Sequence, residues 1–145
     1  MLTEVLLVED SPGDVRLMRE AFRDANPSIR LCVAPDGVEA MKFLRHHGDK
    51  FYAPRPDLIL LDLNLPKMDG REVLALIKQD DKLKSIPTII LTSSEAEEDV
   101  ALTYELQANC YLTKPLQFRA FESLVKRIND FWLTKIKLPT QMQTA

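Results

Sequence analysis

The sequence predicts an α/β fold: a doubly wound, five-stranded parallel sheet with helices on both faces. Three observations point there. Continuous apolar runs such as Val5–Val8 and Leu58–Leu61 have the length and make-up of strands buried on both sides. Between the runs lie longer segments whose apolar residues recur at helical spacing. Five strand–helix units follow one another without an internal repeat, and right-handed crossovers then restrict the topology to a doubly wound form.

The first strand is Val5-Leu6-Leu7-Val8. A helix follows over about Gly13 to Asp24, with Val15, Leu17, Met18, Ala21 and Phe22 on its apolar side, and Asp10-Ser11-Pro12 supply its cap and an early proline. Ile29 to Val33 is the second strand, alternating with Arg30 and Cys32. Asp36-Gly37 turns the chain into a helix carrying Val38, Met41, Phe43 and Leu44. Leu58 to Leu61 is the third strand, and Gly70 to about Asp80 the third helix, through Val73, Leu74, Leu76 and Ile77. Ile86 to Leu91 is the fourth strand. The helix from Glu95 to Leu106 gathers its acids in the first turn, where the helix dipole favours them. Asn109 to Thr113 is the fifth strand, and a long last helix runs from about Gln117 to Lys137.

The 145 residues suit one domain with one core, and 46% hydrophobic with 28% charged residues is an ordinary globular balance. A net charge of −3 gives no basic face for nucleic acid. The N-terminus lacks the basic start and unbroken apolar run of a signal peptide, and no run has the length of a membrane span. Cys32 and Cys110 stand far apart without metal or redox spacing and read as buried free thiols. These features favour the cytoplasm.

In such sheets the chemistry sits beyond the C-terminal ends of the strands, at the switch point of strand order. The first strand ends in Glu9-Asp10, the third in Asp62, the fourth in Thr92-Ser93, and the fifth in Tyr111-Leu112-Thr113-Lys114-Pro115. The second, ending Ala34-Pro35-Asp36, contributes less. Each acid alone reads as a helix cap or a turn residue. Together they place three carboxylates, a hydroxyl and a lysine on one sheet edge. Like charges at that range need neutralising, and an all-oxygen donor set selects a hard divalent ion such as Mg²⁺. One carboxylate can then act as nucleophile toward a phosphoryl group whose oxygens are bound by metal, lysine and hydroxyl.

Val5-Leu-Leu-Val-Glu9-Asp10, Leu60-Leu61-Asp62 to Gly70, Leu91-Thr92 and Tyr111 to Pro115 together resemble the signature of the receiver domain of two-component response regulators, over about residues 3 to 130. The stretches EDSPGDVRLMREAF, ANCYLTKP and DFWLTKIKLP further resemble the small regulators that partner cyanobacterial phytochromes. The resemblance implies a flavodoxin-like sheet of strand order 2-1-3-4-5. It implies a phosphorylation switch in which Asp62 accepts a phosphoryl group from a histidine kinase, here of phytochrome type. Asp10 would hold Mg²⁺ directly, Glu9 through water, and Asn64 through its backbone carbonyl, with Asp62 completing the set. Lys114 would pair with Asp62 and then with the phosphoryl group. Thr92 would swing onto a phosphoryl oxygen, and Tyr111 would rotate inward behind it. The Lys114–Pro115 bond is expected to be cis. The chain departs from the common pattern in carrying Glu9 where many receivers have aspartate, and Ser93 where alanine or glycine is frequent. Both leave the implied site complete.

Two alternatives belong to other classes: a receiver-like scaffold that is never phosphorylated, and a phosphatase working through an aspartyl phosphate. The latter needs a second acid two residues past the nucleophile, where this chain has Asn64.

The remaining features carry plainer readings. Adjacent His46 and His47 suit a helix C-terminus. Gly48 to Pro56 forms a long connection that could touch a partner. The acids Glu95, Glu97, Glu98 and Asp99 suit a solvated helix start. The last helix holds more large apolar residues than one sheet-facing stripe requires. Phe131, Trp132 and Ile136 are therefore expected to form a homodimer surface rather than fold back on the domain. Residues 1–138 are expected to form one receiver domain with an extended last helix, and 139–145 a tail, with no output domain expected to follow.

Overall fold

The computed structural model describes residues 2–46 and 55–133. The elements alternate: β1 (Thr3–Val8), α1 (Pro12–Ala25), β2 (Ile29–Ala34), α2 (Gly37–Arg45), β3 (Leu58–Leu61), α3 (Gly70–Gln79), β4 (Thr88–Thr92), α4 (Glu97–Glu105), β5 (Cys110–Thr113) and α5 (Phe118–Trp132). All five strands are parallel, in the order β2-β1-β3-β4-β5, as the sequence predicts.

Strand alternation divides the interior into two cores. Leu6, Val8, Ile59, Leu61 and Ile90 point toward α2 and α3, where they meet Ala40, Leu44, Val73, Leu74 and Ile77. Val5, Leu7, Leu58, Leu60, Ile89 and Leu91 point the other way, onto Met18 and Phe22 of α1 and Phe121, Val125 and Ile128 of α5. Both faces of β3 are thus apolar and fully buried, which explains its unbroken LILL.

The helix starts follow local chemistry. Ser11 caps α1 by accepting from the Asp14 amide at 3.3 Å, with Pro12 at the first position, where its missing N–H costs nothing. Asp36 caps α2 through the Glu39 amide at 2.8 Å, and Asp69 caps α3 through the Arg71 amide at 2.9 Å. β4 begins at Thr88 rather than Ile86, because Pro87 has no amide to give the ladder.

Within the described residues α5 runs to Trp132, and the expected continuation to Lys137 lies outside them. Leu133 forms the cap, its amide on the Asn129 carbonyl at 3.2 Å, and its side chain is buried in the α1–α5 core. His46 caps the end of α2, in line with the reading of that position. His47, most of the 48–56 connection and Ile136 lie outside the described residues. Among the described residues no helix is long and apolar enough to cross a membrane.

Candidate functional site

The ladder carries the acids into place together. Val8 is level with Leu61 across β1 and β3, and each chain adds one further hydrogen bond: the Glu9 amide to Ala34 O at 3.0 Å, and the Asp62 amide to Val8 O at 3.1 Å. Glu9 and Asp62 therefore leave the sheet at one height on neighbouring strands. Carboxylate oxygens of Glu9, Asp10 and Asp62 lie within 4.8 Å of one another. Glu9 and Asp62 are buried and Asp10 is exposed, so the cluster is a half-open cup with one solvent-facing wall.

Lys114 enters from the end of β5. Its ammonium donates to Asp62 at 3.0 Å, to Asp14 at 3.0 Å, and to Glu9. Its amide donates to Thr92 O at 2.8 Å, which sets the lysine against the end of β4. Burial disfavours its charge, but the bonds to Glu9, Asp14 and Asp62 outweigh that and hold the ammonium above its ordinary pKa. One ammonium thus contacts three carboxylates, and Asp10 adds a fourth beside Glu9 and Asp62. The excess negative charge appears at Glu9, the most buried of them. Burial, reinforced by the Asp62 carboxylate and only partly offset by Lys114, pushes its pKa up to about 7.

This donor set fits a hard divalent cation. The three clustered carboxylates supply oxygen alone, carry charge that one lysine does not balance, and leave a wall open for water.

The turn after Asp62 is tight. The Asn64 amide donates back to the Asp62 carboxylate at 3.3 Å while the Asn64 side chain is exposed. Lys67 adopts a left-handed φ of 66°, and the Gly70 amide closes the loop on Leu63 O at 2.9 Å. Gly70 is required there: a Cβ would overlap the Asp62 carbonyl oxygen and come within 2.6 Å of Leu63 Cα. The phosphoacceptor candidate is thus backed directly by the start of α3.

Thr92 is buried at the end of β4, its Oγ1 accepting from the Ser94 amide at 3.5 Å. Tyr111 is half-buried against the α2–α3 core, and its hydroxyl donates to Ser94 O at 2.9 Å. Burial raises its pKa. Asp36 stands apart from the cluster, as expected, capping α2 and facing Lys67 at 3.5 Å.

One expectation is corrected. The Lys114–Pro115 bond is trans, for the described residues hold no cis peptide. Trans is favoured before proline by about 0.5–1 kcal/mol. Lys114 reaches Glu9, Asp14 and Asp62 from that backbone.

Four functional neighbours escaped the sequence reading. Asp14 stands one helical turn past Asp10, a spacing that could have brought it in. Arg71, Ser94 and Asp99 form a separate network. Arg71 Nε and Nη2 donate to Asp99 Oδ1 at 3.0 and 2.6 Å, and the Ser94 hydroxyl donates to Asp99 Oδ2 at 2.6 Å. Asp99 belongs to the acidic run read as a solvated helix start, and no local signal links it to an arginine 28 residues earlier.

The doubly wound sheet thus gathers its strand-end acids and Lys114 at the switch point of strand order. The chain belongs to the response regulator receiver domain family, whose pattern matches residues 5–129. Response regulator Rcp1 of Synechocystis is 50% identical over 135 residues, 93% of this chain and 92% of that protein. The crystal structure of the phosphorylated cyanobacterial phytochrome response regulator RcpA superposes with a TM-score of 0.90 at 46% identity, covering 96% of this chain and 99% of that one. The Mn²⁺-bound form of Rcp1 superposes with a TM-score of 0.87 at 49% identity, covering 94% and 99%.

Proposed function

We propose that this receiver is a phosphorylation switch whose phosphoacceptor is Asp62 and whose donor is the phosphohistidine of a phytochrome-type histidine kinase. The observation that carries the reading is the meeting of Glu9, Asp10 and Asp62 with Lys114 at one sheet edge. A carboxylate oxygen of Asp62 attacks the phosphorus and the P–N bond breaks. Its electron pair goes to the imidazole nitrogen, leaving an acyl phosphate on Asp62. Glu9, Asp10, Asp62 and the Asn64 carbonyl would hold Mg²⁺, which when bound offsets the carboxylate charge and draws in the phosphoryl oxygens. Lys114 pairs with Asp62 beforehand and follows the charge onto the phosphoryl group. Thr92 supplies its hydroxyl to a phosphoryl oxygen, and Tyr111 packs behind it. Water later attacks the phosphorus and restores the carboxylate. With Asn64 where a phosphatase has its proton donor, that hydrolysis is slow and the protein is a switch rather than a turnover enzyme.

A cleft beside the acids supports docking of the kinase. Asp14, Leu17, Lys114, Leu116 and Phe118 line a cleft of about 330 Å³ beside the acids, and Leu116 is fully exposed on its rim. The relatives described as phytochrome response regulators support a phytochrome-type donor, and the absence of a membrane-spanning helix among the described residues suits a cytoplasmic encounter. Phosphorylation biases a two-state equilibrium of the α4–β5–α5 face and so changes its affinity for a downstream protein.

Self-association is part of the proposal. Phe131 is 53% exposed and stacks edge-on to Trp132 with ring centres 5.8 Å apart, while Leu133 turns into the chain's own core. Phe131 therefore offers apolar surface to a second copy. Phe131→Glu shifts the sedimentation distribution toward monomer; an unchanged distribution removes the interface.

Phosphotransfer profiling tests the main reading. Autophosphorylated histidine kinases, phytochrome types included, should pass label to the wild type in the presence of Mg²⁺ and not to Asp62→Asn. Transfer to Asp62→Asn at the wild-type rate would move the nucleophile elsewhere.

A further inference from the structure

α4 is the least anchored helix of the fold. Thr103 is its buried residue, Leu102 and Tyr104 are exposed, and its N-cap, Ala96, has no side-chain acceptor. Polar ties hold its start instead. Ser94 Oγ accepts from the Ala96 amide at 3.3 Å and donates to Asp99 at 2.6 Å. The other Asp99 oxygen takes two bonds from the Arg71 guanidinium, at 3.0 and 2.6 Å. Arg71 is itself fixed to Asp69 Oδ1 at 2.9 Å, and Asp69 caps α3. α3 in turn begins at Gly70, packed on the Asp62 carbonyl without room for a methyl group. A continuous path therefore runs from the backbone of Asp62 through Gly70, Arg71 and Asp99 to Ser94, whose carbonyl receives the Tyr111 hydroxyl at 2.9 Å.

We propose that Arg71 and Asp99 are positioning residues for the switch: they hold the β4–α4 loop so that Ser94 presents its carbonyl to an inward Tyr111. The proposal rests on the receiver reading of Asp62, Thr92 and Tyr111. The geometry suits the task. Arg71 and Asp99 are only part-exposed, at 26% and 17%, and the guanidinium fork fixes direction as well as distance. Ser94 joins both halves, since its hydroxyl meets Asp99 and its carbonyl meets Tyr111. Loss of the clamp removes no member of the Glu9–Asp10–Asp62–Lys114 cluster, while the loop keeps its bond from the Ser94 amide to Thr92 Oγ1 at 3.5 Å.

The test uses the full chain labelled with 3-fluorotyrosine and observed by ¹⁹F NMR, with the Tyr111 signal assigned by Tyr111→Phe. Asp99→Asn and Arg71→Gln should each lower the inward-to-outward ratio of Tyr111 by about tenfold, the scale of losing a part-buried charged hydrogen-bond pair. Ser94→Ala, which keeps the carbonyl, should lower it less, and Glu97→Gln not at all. A Tyr111 signal unchanged in both Asp99→Asn and Arg71→Gln overturns the clamp. Should either variant fail to fold by circular dichroism, Ser94→Ala decides: an unchanged signal there also overturns it. Labelling by acetyl phosphate with Mg²⁺ separates the two claims. A wild type that takes no label while Asp99→Asn still moves Tyr111 refutes the phosphoacceptor reading and leaves the clamp. A wild type that labels while Tyr111 never moves refutes the clamp alone.

Discussion

The centre of the sheet and α4 flank the same site but are held by different forces. β1, β3 and α3 are fixed by burial: Leu6, Val8, Leu58 to Leu61, Val73, Leu74 and Ile77 are sealed from water. α4 buries Thr103 and is steered by Ser94, Asp99 and Arg71. Apolar packing tolerates little displacement, whereas a hydrogen-bonded tie has a second arrangement within reach when the charge beside it changes. The strands that carry Asp62 and Thr92 are fixed by apolar burial, and the α4 start between β4 and β5 is fixed by polar ties.

Substitutions break this comparison at different depths. The largest effect is expected at Leu60, which touches solvent nowhere. Leu60→Ala should cost about 2–5 kcal/mol in urea unfolding, whereas Leu102→Ala on exposed α4 should stay within about 0.5 kcal/mol. Equal losses would erase the distinction. Next comes Gly70→Ala, whose methyl group has to push the Asp62 turn aside. It should lose about 1–3 kcal/mol and also weaken divalent-cation binding, measured by calorimetry. Intact binding would separate α3 from the site. Hydrogen exchange sharpens the contrast without mutation: α3 amides should open only with global unfolding, and α4 amides by a smaller local opening.

The smallest effect is a pH dependence. Glu9 titrates near 7 in the fold against an ordinary 4.5. The folded state therefore binds the extra proton between those values. The stability that Glu9 contributes is fully present below about 4.5 and lost as pH rises through about 7. Glu9→Gln should flatten that slope, and Mg²⁺ should oppose it by favouring the ionised acid. A thermal midpoint with the same slope in Glu9→Gln would place the charge strain elsewhere.

The same contrast explains what the sequence made legible. The fully apolar LILL run and the helical spacing of Val73, Leu74 and Ile77 record burial directly, so the parallel sheet and its strand-end acids could be read in advance, and the resemblance supplied the strand order. Polar ties leave no such periodicity. Arg71 looks like any surface arginine and Asp99 like any first-turn acid until the fold brings them within 2.6 Å. Asp14 was hidden by a second role, since an acid in a first helical turn already has a reason to be there. The trans bond before Pro115 depends on loop geometry that residue pattern does not encode.

The central claim, that this cluster makes Asp62 a phosphoacceptor, is tested most directly by acetyl phosphate, Mg²⁺ and mass spectrometry with peptide mapping. The account predicts one hydroxylamine-sensitive phosphoryl group per chain, located on Asp62, dependent on the cation and absent from Asp62→Asn. A wild type that binds Mg²⁺ yet gains no phosphoryl group, or a label that maps to any other residue, would contradict it.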